Sequence, residues 1–415
     1  MLAKGLLNSF VRFGDLTVID AKGKSHRFKG GDGSRATIRL NDPSLHWRLL
    51  FNPYLAAGEG YMDGGLTIED GTLYDFLDIC LANACTIESR GFYRLIDLAI
   101  RARAKFRHYN PISRAKGKVS HHYDLKSELF DLFLCDDRQY SCAYFADPDE
   151  DIETAQTRKK LHLAAKLLLG PGQRVLDIGS GWGGLGMFLA GIADVSVDGV
   201  TLSTEQHRVS NERAASAGLA EKASFHLKDY RLLDGKYDRI VSVGMLEHVG
   251  PKHYPEFYSK VAELLTDDGV AVIHCIGKFH SPYPQNPWME KYIFPGAYTP
   301  TLAEQMPHIE QAKLLVADVE ILRIHYADTL KRWREAFNDN MDEVRAMYDD
   351  RFCRMWDFYL TGCELAFRYD SLMVFQIQLS KKIDTVPLTR DYISEFEHQY
   401  WGRLTDRPRL REAGE

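Results

Sequence analysis

The sequence predicts an α/β protein: a mostly parallel sheet with helices on both faces, joined to a smaller α+β unit at the amino end. Three observations predict it. From about residue 119 onward, β-rich runs alternate with helical segments. One of these runs leads into a glycine-rich turn and then a helix. Residues 1–88 instead hold short alternating segments between Gly-rich turns. A chain of 415 residues also exceeds one ordinary core, so two domains are expected.

The amino-terminal unit, 1–88, reads LTVID and ATIRL as strands, KGGDGS and MDGG as turns, and TLYDFLDICLANA as a closing helix. It offers no catalytic constellation. Residues 89–118 then change character. Nine basic residues, among them Arg101, Arg103, Lys105 and Arg107, face one acid, Asp97, and Phe92, Leu95, Ile96, Ala99 and Ile100 recur at helical spacing. This is a basic amphipathic linker. It suits either a solvated helix packed on the next domain or a contact to anionic lipid headgroups, where each cation contributes about 1 kcal/mol.

The larger part, 119–400, is followed by a short tail, 401–415. RVLDIGS, VSVDGVTLS, ASFHLKD, YDRIVSVGM and GVAVIHCIG are its strands, and ILRIH (321–325) and MVFQIQLSK (373–381) supply two more. Between these two lies a helix with Phe352, Trp356, Tyr359, Leu360, Cys363 and Phe367 on one face. That stripe suits a core or the wall of a ligand channel.

Composition narrows the function classes. A net charge of −6 does not favour nucleic acid. Seven cysteines without a C-x-x-C pair argue against a disulfide framework and a thiolate zinc site, and suit a reducing cytosol. The start, MLAKGLLNSFVRFGD, lacks a signal-peptide pattern, and no run of about 18 apolar residues is present to span a bilayer. His121, His122 and His253 have no metal-ligand spacing to a third ligand, so no metal is expected.

The turn GSGWGG places Gly179, Gly181, Gly183 and Gly184 in six positions, which lets backbone approach a ligand closely. A glycine pattern alone also fits a dinucleotide. Asp177, at the end of the preceding strand, favours a cationic ligand, and the sulfonium and amino group of S-adenosylmethionine (SAM) fit it. Ligands bind at the carboxyl ends of such strands. Asp198, Gln206 or the Thr201–Leu202 backbone would therefore hold ribose hydroxyls, and Asp229 and Tyr230 would bracket an adenine.

Taken in order, HHYDLKSELFDLFLCDDRQYSCAYF, VLDIGSGWGG, GVTLSTEQ, MLEHVG, KYIFPGAYTP and HYADTLKRW resemble the cyclopropane fatty acyl phospholipid synthases and the related mycolic acid cyclopropane synthases. The resemblance is strong over 119–400 and looser over 1–88. It implies a Rossmann-like SAM-dependent methyltransferase domain, with a seven-stranded sheet and helical lid insertions, behind an amino-terminal lipid-binding domain. It implies methyl transfer to the cis double bond of an acyl chain followed by ring closure. The base would be a bound bicarbonate, its ligands matching Cys142, Glu247, His274, Ile276 and Tyr326. Tyr140 and Ser141 would contact SAM.

Cys142 would then be a pocket-wall donor rather than a nucleophile, although His274 nearby in function leaves the nucleophile open at this level. Ala297 stands where a second glycine is common and Cys275 where threonine is common. A homodimer, peripheral on the inner face of the cytoplasmic membrane, is the implied setting. The runner-up activity is another SAM-dependent C-methylation giving a methylene or methyl branch. A non-catalytic lipid-binding protein would have lost the glycine turn or the base ligands, and a small-molecule methyltransferase leaves residues 1–118 unexplained.

Overall fold

The computed structural model describes residues 4–84, 125–280 and 285–405. The basic segment 89–118, His121 and His122 lie outside these residues.

The first unit runs α1 (Lys4–Phe10), β1 (Phe13–Ile19), β2 (Ser25–Lys29), β3 (Gly31–Leu40), α2 (Leu45–Phe51), α3 (Pro53–Met62), β4 (Leu66–Asp70) and α4 (Leu73–Ala82). Its sheet order is β2-β1-β3-β4, with β1 parallel to β3 and the outer pairs antiparallel. Period-two alternation puts Leu16, Val18, Ala36, Ile38 and Leu40 on one buried face. Helix α4 closes that face, and its start is fixed by a capping box between Thr72 and Asp75. KGGDGS is not wholly a turn, because β3 begins at Gly31. Gly33, at φ +152°, passes so close to β1 that a Cβ would lie 2.9 Å from the Gly14 nitrogen, which is why the strand starts with glycines.

The second unit continues with α5 (Ser127–Asp131), α6 (Ile152–Lys166), β5 (Arg174–Ile178), α7 (Gly184–Ala193), β6 (Ser196–Thr201), α8 (Thr204–Ser216), β7 (Ala223–Leu227), β8 (Tyr237–Val243), α9 (Leu246–Val249), α10 (Tyr254–Leu264) and β9 (Leu265–Lys278). It ends with α11 (Pro287–Tyr292), α12 (Leu302–Gln311), β10 (Leu315–Ile321), α13 (His325–Asp339), α14 (Met341–Met347), α15 (Asp350–Tyr369), β11 (Leu372–Ser380) and α16 (Asp391–Thr405). The seven strands follow the order β10-β11-β9-β8-β5-β6-β7. Only β11 runs against the others in this sheet.

Both faces of this sheet are covered, which explains its near-continuous apolar strands. Leu176, Ile178 and Ile240 pack with α10 on one side. Val175, Val197 and Val241 pack with α6 and α7 on the other. Strand order reverses at β5, whose neighbours are β6 and β8, so a crevice for a ligand opens at its carboxyl end.

Two boundaries move. ILRIH is not a strand: β10 ends at Ile321 and α13 begins at His325. The edge strand LVADVEI carries Asp318 and Glu320, which weaken its apolar signal. Helix α16 also runs through residue 400, so the tail drawn at 401 begins inside a helix.

Candidate active site

The crevice at β5 is a cavity of about 180 Å³. Of the residues expected to hold SAM, Tyr140, Ser141, Asp177, Gly179, Gly181, Gly184, Thr201, Leu202, Gln206, Asp229 and Tyr230 wall it. The turn needs its glycines: Gly179, Gly181 and Gly183 all have positive φ. Gly183 does not wall the cavity. It caps α7 in the left-handed conformation, where a Cβ would meet Phe225 at 2.7 Å and Ser210 at 2.9 Å. Asp198 is also absent from the wall. It sits mid-strand, three residues before the carboxyl end of β6, and pairs with Arg174 at 3.2 Å.

Asp177 is 2% exposed, and its Oδ2 has no hydrogen-bond partner. Burial lifts its carboxyl to about 7 against the pull of Lys159. A buried carboxylate without a partner calls for a cation. The Thr201 hydroxyl donates to Gln206 Oε1 at 2.9 Å, which leaves the Gln206 amide NH₂ to donate to a ligand. Asp229 is held by Arg231 at 2.7 and 2.9 Å, so it offers an already neutralised carboxylate.

A second, larger cavity of about 510 Å³ shares Tyr140, Ser141, Gly244 and His248 with the first. Cys142, Glu247, His274, Ile276 and Tyr326 all line it. They come from five places in the chain: the loop before α6, the short α9 after β8, two positions of β9, and the first turn of α13.

Glu247 is 7% exposed; burial raises its carboxyl to about 7. Its Oε1 accepts the Ile276 N–H at 2.7 Å, while Oε2 is buried without a partner. The Ile276 N–H is thus already engaged by Glu247. Cys275 also touches this group: its thiol donates to the Ile276 carbonyl at 3.0 Å.

His274 has a defined tautomer. Gln376 stands opposite it in the β9–β11 register. Lys166 Nζ, which can only donate, takes Gln376 Oε1 at 2.9 Å. That turns Gln376 Nε2 toward His274 Nδ1 at 3.2 Å. Nδ1 therefore accepts, and the ring proton sits on Nε2. Burial and the nearby lysines push the imidazole down to about 3, so it stays neutral.

The same facts decide the reading of Cys142. Its thiol is fully buried, donates to the Ala143 carbonyl at 3.3 Å and is pushed up by desolvation. A histidine near 3 is a poor base for it. A wall donor fits this thiol, and a nucleophile does not.

Lys159 is a residue the motifs do not mark. It is fully buried on α6, donates to Ser141 Oγ at 3.0 Å and to Gln139 Oε1, and is lowered to about 8 by desolvation. The run TRKKLHLAAK looks like a solvated face, yet Lys159, Lys160 and Lys166 are all buried.

The α15 stripe serves both roles proposed for it. Trp356 and Leu360 lie in the core, while Tyr359, Cys363 and Phe367 wall the large cavity. Tyr359 and Tyr140 share a hydrogen bond of 2.8 Å between their hydroxyls. The cavity then continues into the amino-terminal unit, where Leu16, Val18, Ile38, Leu40, Phe76 and Leu77 line it.

The mycolic acid cyclopropane synthetase family model matches residues 111–377. The chain belongs to this family. The cyclopropane-fatty-acyl-phospholipid synthase of Escherichia coli K12 is 36% identical over 349 residues, which are 84% of this chain and 89% of that protein. A probable fatty acid methyltransferase of Pseudomonas putida is 32% identical, over 85% of this chain and 89% of its own. Mycolic acid cyclopropane synthase CmaA1, solved with SAH and CTAB, superposes with a TM-score of 0.61 at 32% identity, covering 65% of this chain and 99% of that one. As a member of the cyclopropane synthetase family the chain is a SAM-dependent methyltransferase, and its homologues methylate or cyclopropanate lipid acyl chains.

Proposed function

We propose that this protein cyclopropanates cis-unsaturated acyl chains of membrane phospholipids. The observation that carries the reading is the junction of the two cavities at Tyr140, Ser141, Gly244 and His248, with Glu247, His274, Cys142 and Tyr326 beside it. A crevice that holds the buried Asp177 carboxyl, suited to a cationic methyl donor, there adjoins an apolar cavity for an alkene.

SAM supplies an electrophilic methyl group when bound, and bicarbonate supplies a base for the final proton. Asp177 meets the positive charge of the donor with its unpaired carboxylate. Gln206 and the backbone at Thr201 and Leu202 orient its ribose. Tyr140 and Ser141, common to both cavities, hold the acceptor carbon against the methyl group. Tyr326, Phe367, Phe294 and Tyr359 exclude water from the cation that develops on the chain, and their faces stabilise it.

An anion with one remaining proton fits the polar end of the large cavity. His274 Nε2–H and the Tyr326 hydroxyl are donors to it, the Cys142 thiol would join them by turning from the Ala143 carbonyl, and Glu247 Oε2 is a buried acceptor without a partner. Ile276 contributes by holding Glu247 through its N–H.

The phospholipid bilayer is the partner this reading requires. The basic segment 89–118 would hold the protein to anionic headgroups, from the inner face of the membrane and as a homodimer. No described helix is long and apolar enough to cross a bilayer. A second reading, formation of a methylene branch by loss of a proton from the same cation, or of a saturated methyl branch if an outside hydride donor reduces it, is favoured by the Pseudomonas putida relative's description as a probable fatty acid methyltransferase.

Mass spectrometry tests the reading on vesicles of a cis-unsaturated phospholipid with SAM. A gain of about 14 Da, one CH₂, that resists mild hydrogenation supports it. The same gain with hydrogen uptake supports the methylene branch instead. No gain, with SAM bound, rejects both.

A further inference from the structure

We infer that the corner between α2 and α3 inserts into the interfacial layer of a lipid bilayer and brings the wall of the acyl cavity to the membrane. The inference rests on the reading that the substrate is a membrane lipid.

The corner has two faces. Trp47 and Phe51, one helical turn apart, are 48% and 56% exposed, and their rings stack at 6.3 Å and 11°. The opposite face of the same helix, at His46, Leu49 and Leu50, walls the large cavity that also holds Glu247 and His274. Tyr54, in the first turn of α3, does both: it is 48% exposed and lines the cavity.

The corner is held firmly from behind. Leu45 is fully buried, Arg48 pairs with Glu59, and Asn52 Oδ1 accepts the Leu55 N–H at 3.4 Å. The aromatics therefore project from a fixed base.

Chemistry and area both select the occupant. Trp and Tyr rings beside an arginine are the composition that settles at headgroup level, where one end of a ring is apolar and the other wet. Three half-exposed aromatics offer about 300 Å², whereas a stable interface with a second protein copy buries about 1,200 Å² or more. A two-residue stacked wedge on the wall of an acyl cavity suits shallow insertion into lipid. This contact is apolar and so persists in salt, unlike one made by the basic segment.

Two measurements on the full-length protein test it. The first uses phosphatidylcholine vesicles with brominated acyl chains, which quench tryptophan at bilayer depth. Quenching should be clear in the wild type and reduced in Trp47→Phe. Equal quenching in both overturns the inference. The second compares the double variant Trp47→Ser/Phe51→Ser with wild type. Vesicle binding at about 0.5 M salt should weaken at least 10-fold, while turnover of the same lipid in detergent micelles stays within about twofold, since neither side chain lines the cavity. Unchanged vesicle binding overturns it, and so does a dimer lost with vesicle binding retained, which would assign the face to a second copy. Failure of the wild type to modify micellar lipid would instead sink the substrate reading, and the bromine result would stand apart from it.

Discussion

Glu247 accepts the Ile276 N–H at 2.7 Å through one carboxyl oxygen and keeps the other buried and unpartnered. One oxygen is thus fixed by the carboxyl end of β9, and the other is presented to the large cavity. Glu247→Gln should keep the fold and the first oxygen's contact, and lose the acceptor. Turnover is expected to fall at least 100-fold, on the order of 3 kcal/mol, with SAM affinity by calorimetry changed less than about threefold. Normal turnover would remove Glu247 from the mechanism.

Asp177 and Glu247 set a pH signature. Both are raised by burial to about 7. A carboxyl whose folded value lies above its unfolded one favours the native state fully below the unfolded value, near 4, and loses that contribution as pH rises through 7. Between about pH 5 and about pH 8 the ligand-free protein should lose on the order of a few kcal/mol from this pair. The double variant Asp177→Asn/Glu247→Gln should flatten the slope in thermal melts. SAM has the opposite sign: Asp177 must ionise to meet it, so affinity should tighten through pH 7, and Asp177→Asn should abolish the trend. A pH-independent affinity in the wild type would contradict this role.

Cys142 should behave as a buried wall. Its thiol is pushed up by desolvation and engaged with the Ala143 carbonyl. Iodoacetamide at about pH 8 should leave it unmodified in the folded protein, below the ordinary reactivity of a thiol near 8.5. Cys142→Ser should retain roughly a tenth or more of the activity, because a hydroxyl still donates, a difference of about 1 kcal/mol. A covalent adduct on Cys142 during turnover, seen by intact mass, would overturn this.

Gln376 acts through His274. Gln376→Leu removes the donor to Nδ1 and frees the imidazole to change tautomer. We expect kcat to fall about 10-fold, the worth of one positioned hydrogen bond, with KM for the lipid little changed. Nitrogen NMR should show the Nε2–H tautomer in the wild type and a mixture in the variant. A single unchanged tautomer in Gln376→Leu would reject the role.

Much of this site was legible in the chain. The strand–Gly–helix run located the crevice at the carboxyl end of β5, and the ordered motifs pointed to Cys142, Glu247, His274, Ile276 and Tyr326, which line one cavity. What was not legible has physical reasons. Asp198 and Thr201 lie on one strand, and only the observed strand end tells which of them reaches the crevice. Lys159 and Lys166 sit in a charge-rich helix whose sequence resembles a solvated one. Gln376 carries no chemical signal in MVFQIQLS; its role comes from standing across the ladder from His274. Leu16, Val18 and Ile38 alternate in the same way whether they seal a core or wall a cavity, so the reach of the large cavity into the first unit needed the fold.

The central claim is that the transferred methyl group loses a proton within the Glu247–His274 pocket and closes a ring. SAM with a trideuterated methyl group tests it most directly, by mass spectrometry of the phospholipid product. The account predicts that two of the three deuterons are retained in a product that resists mild hydrogenation. Retention of all three would mean a methyl branch formed without proton loss from that carbon, and would contradict it.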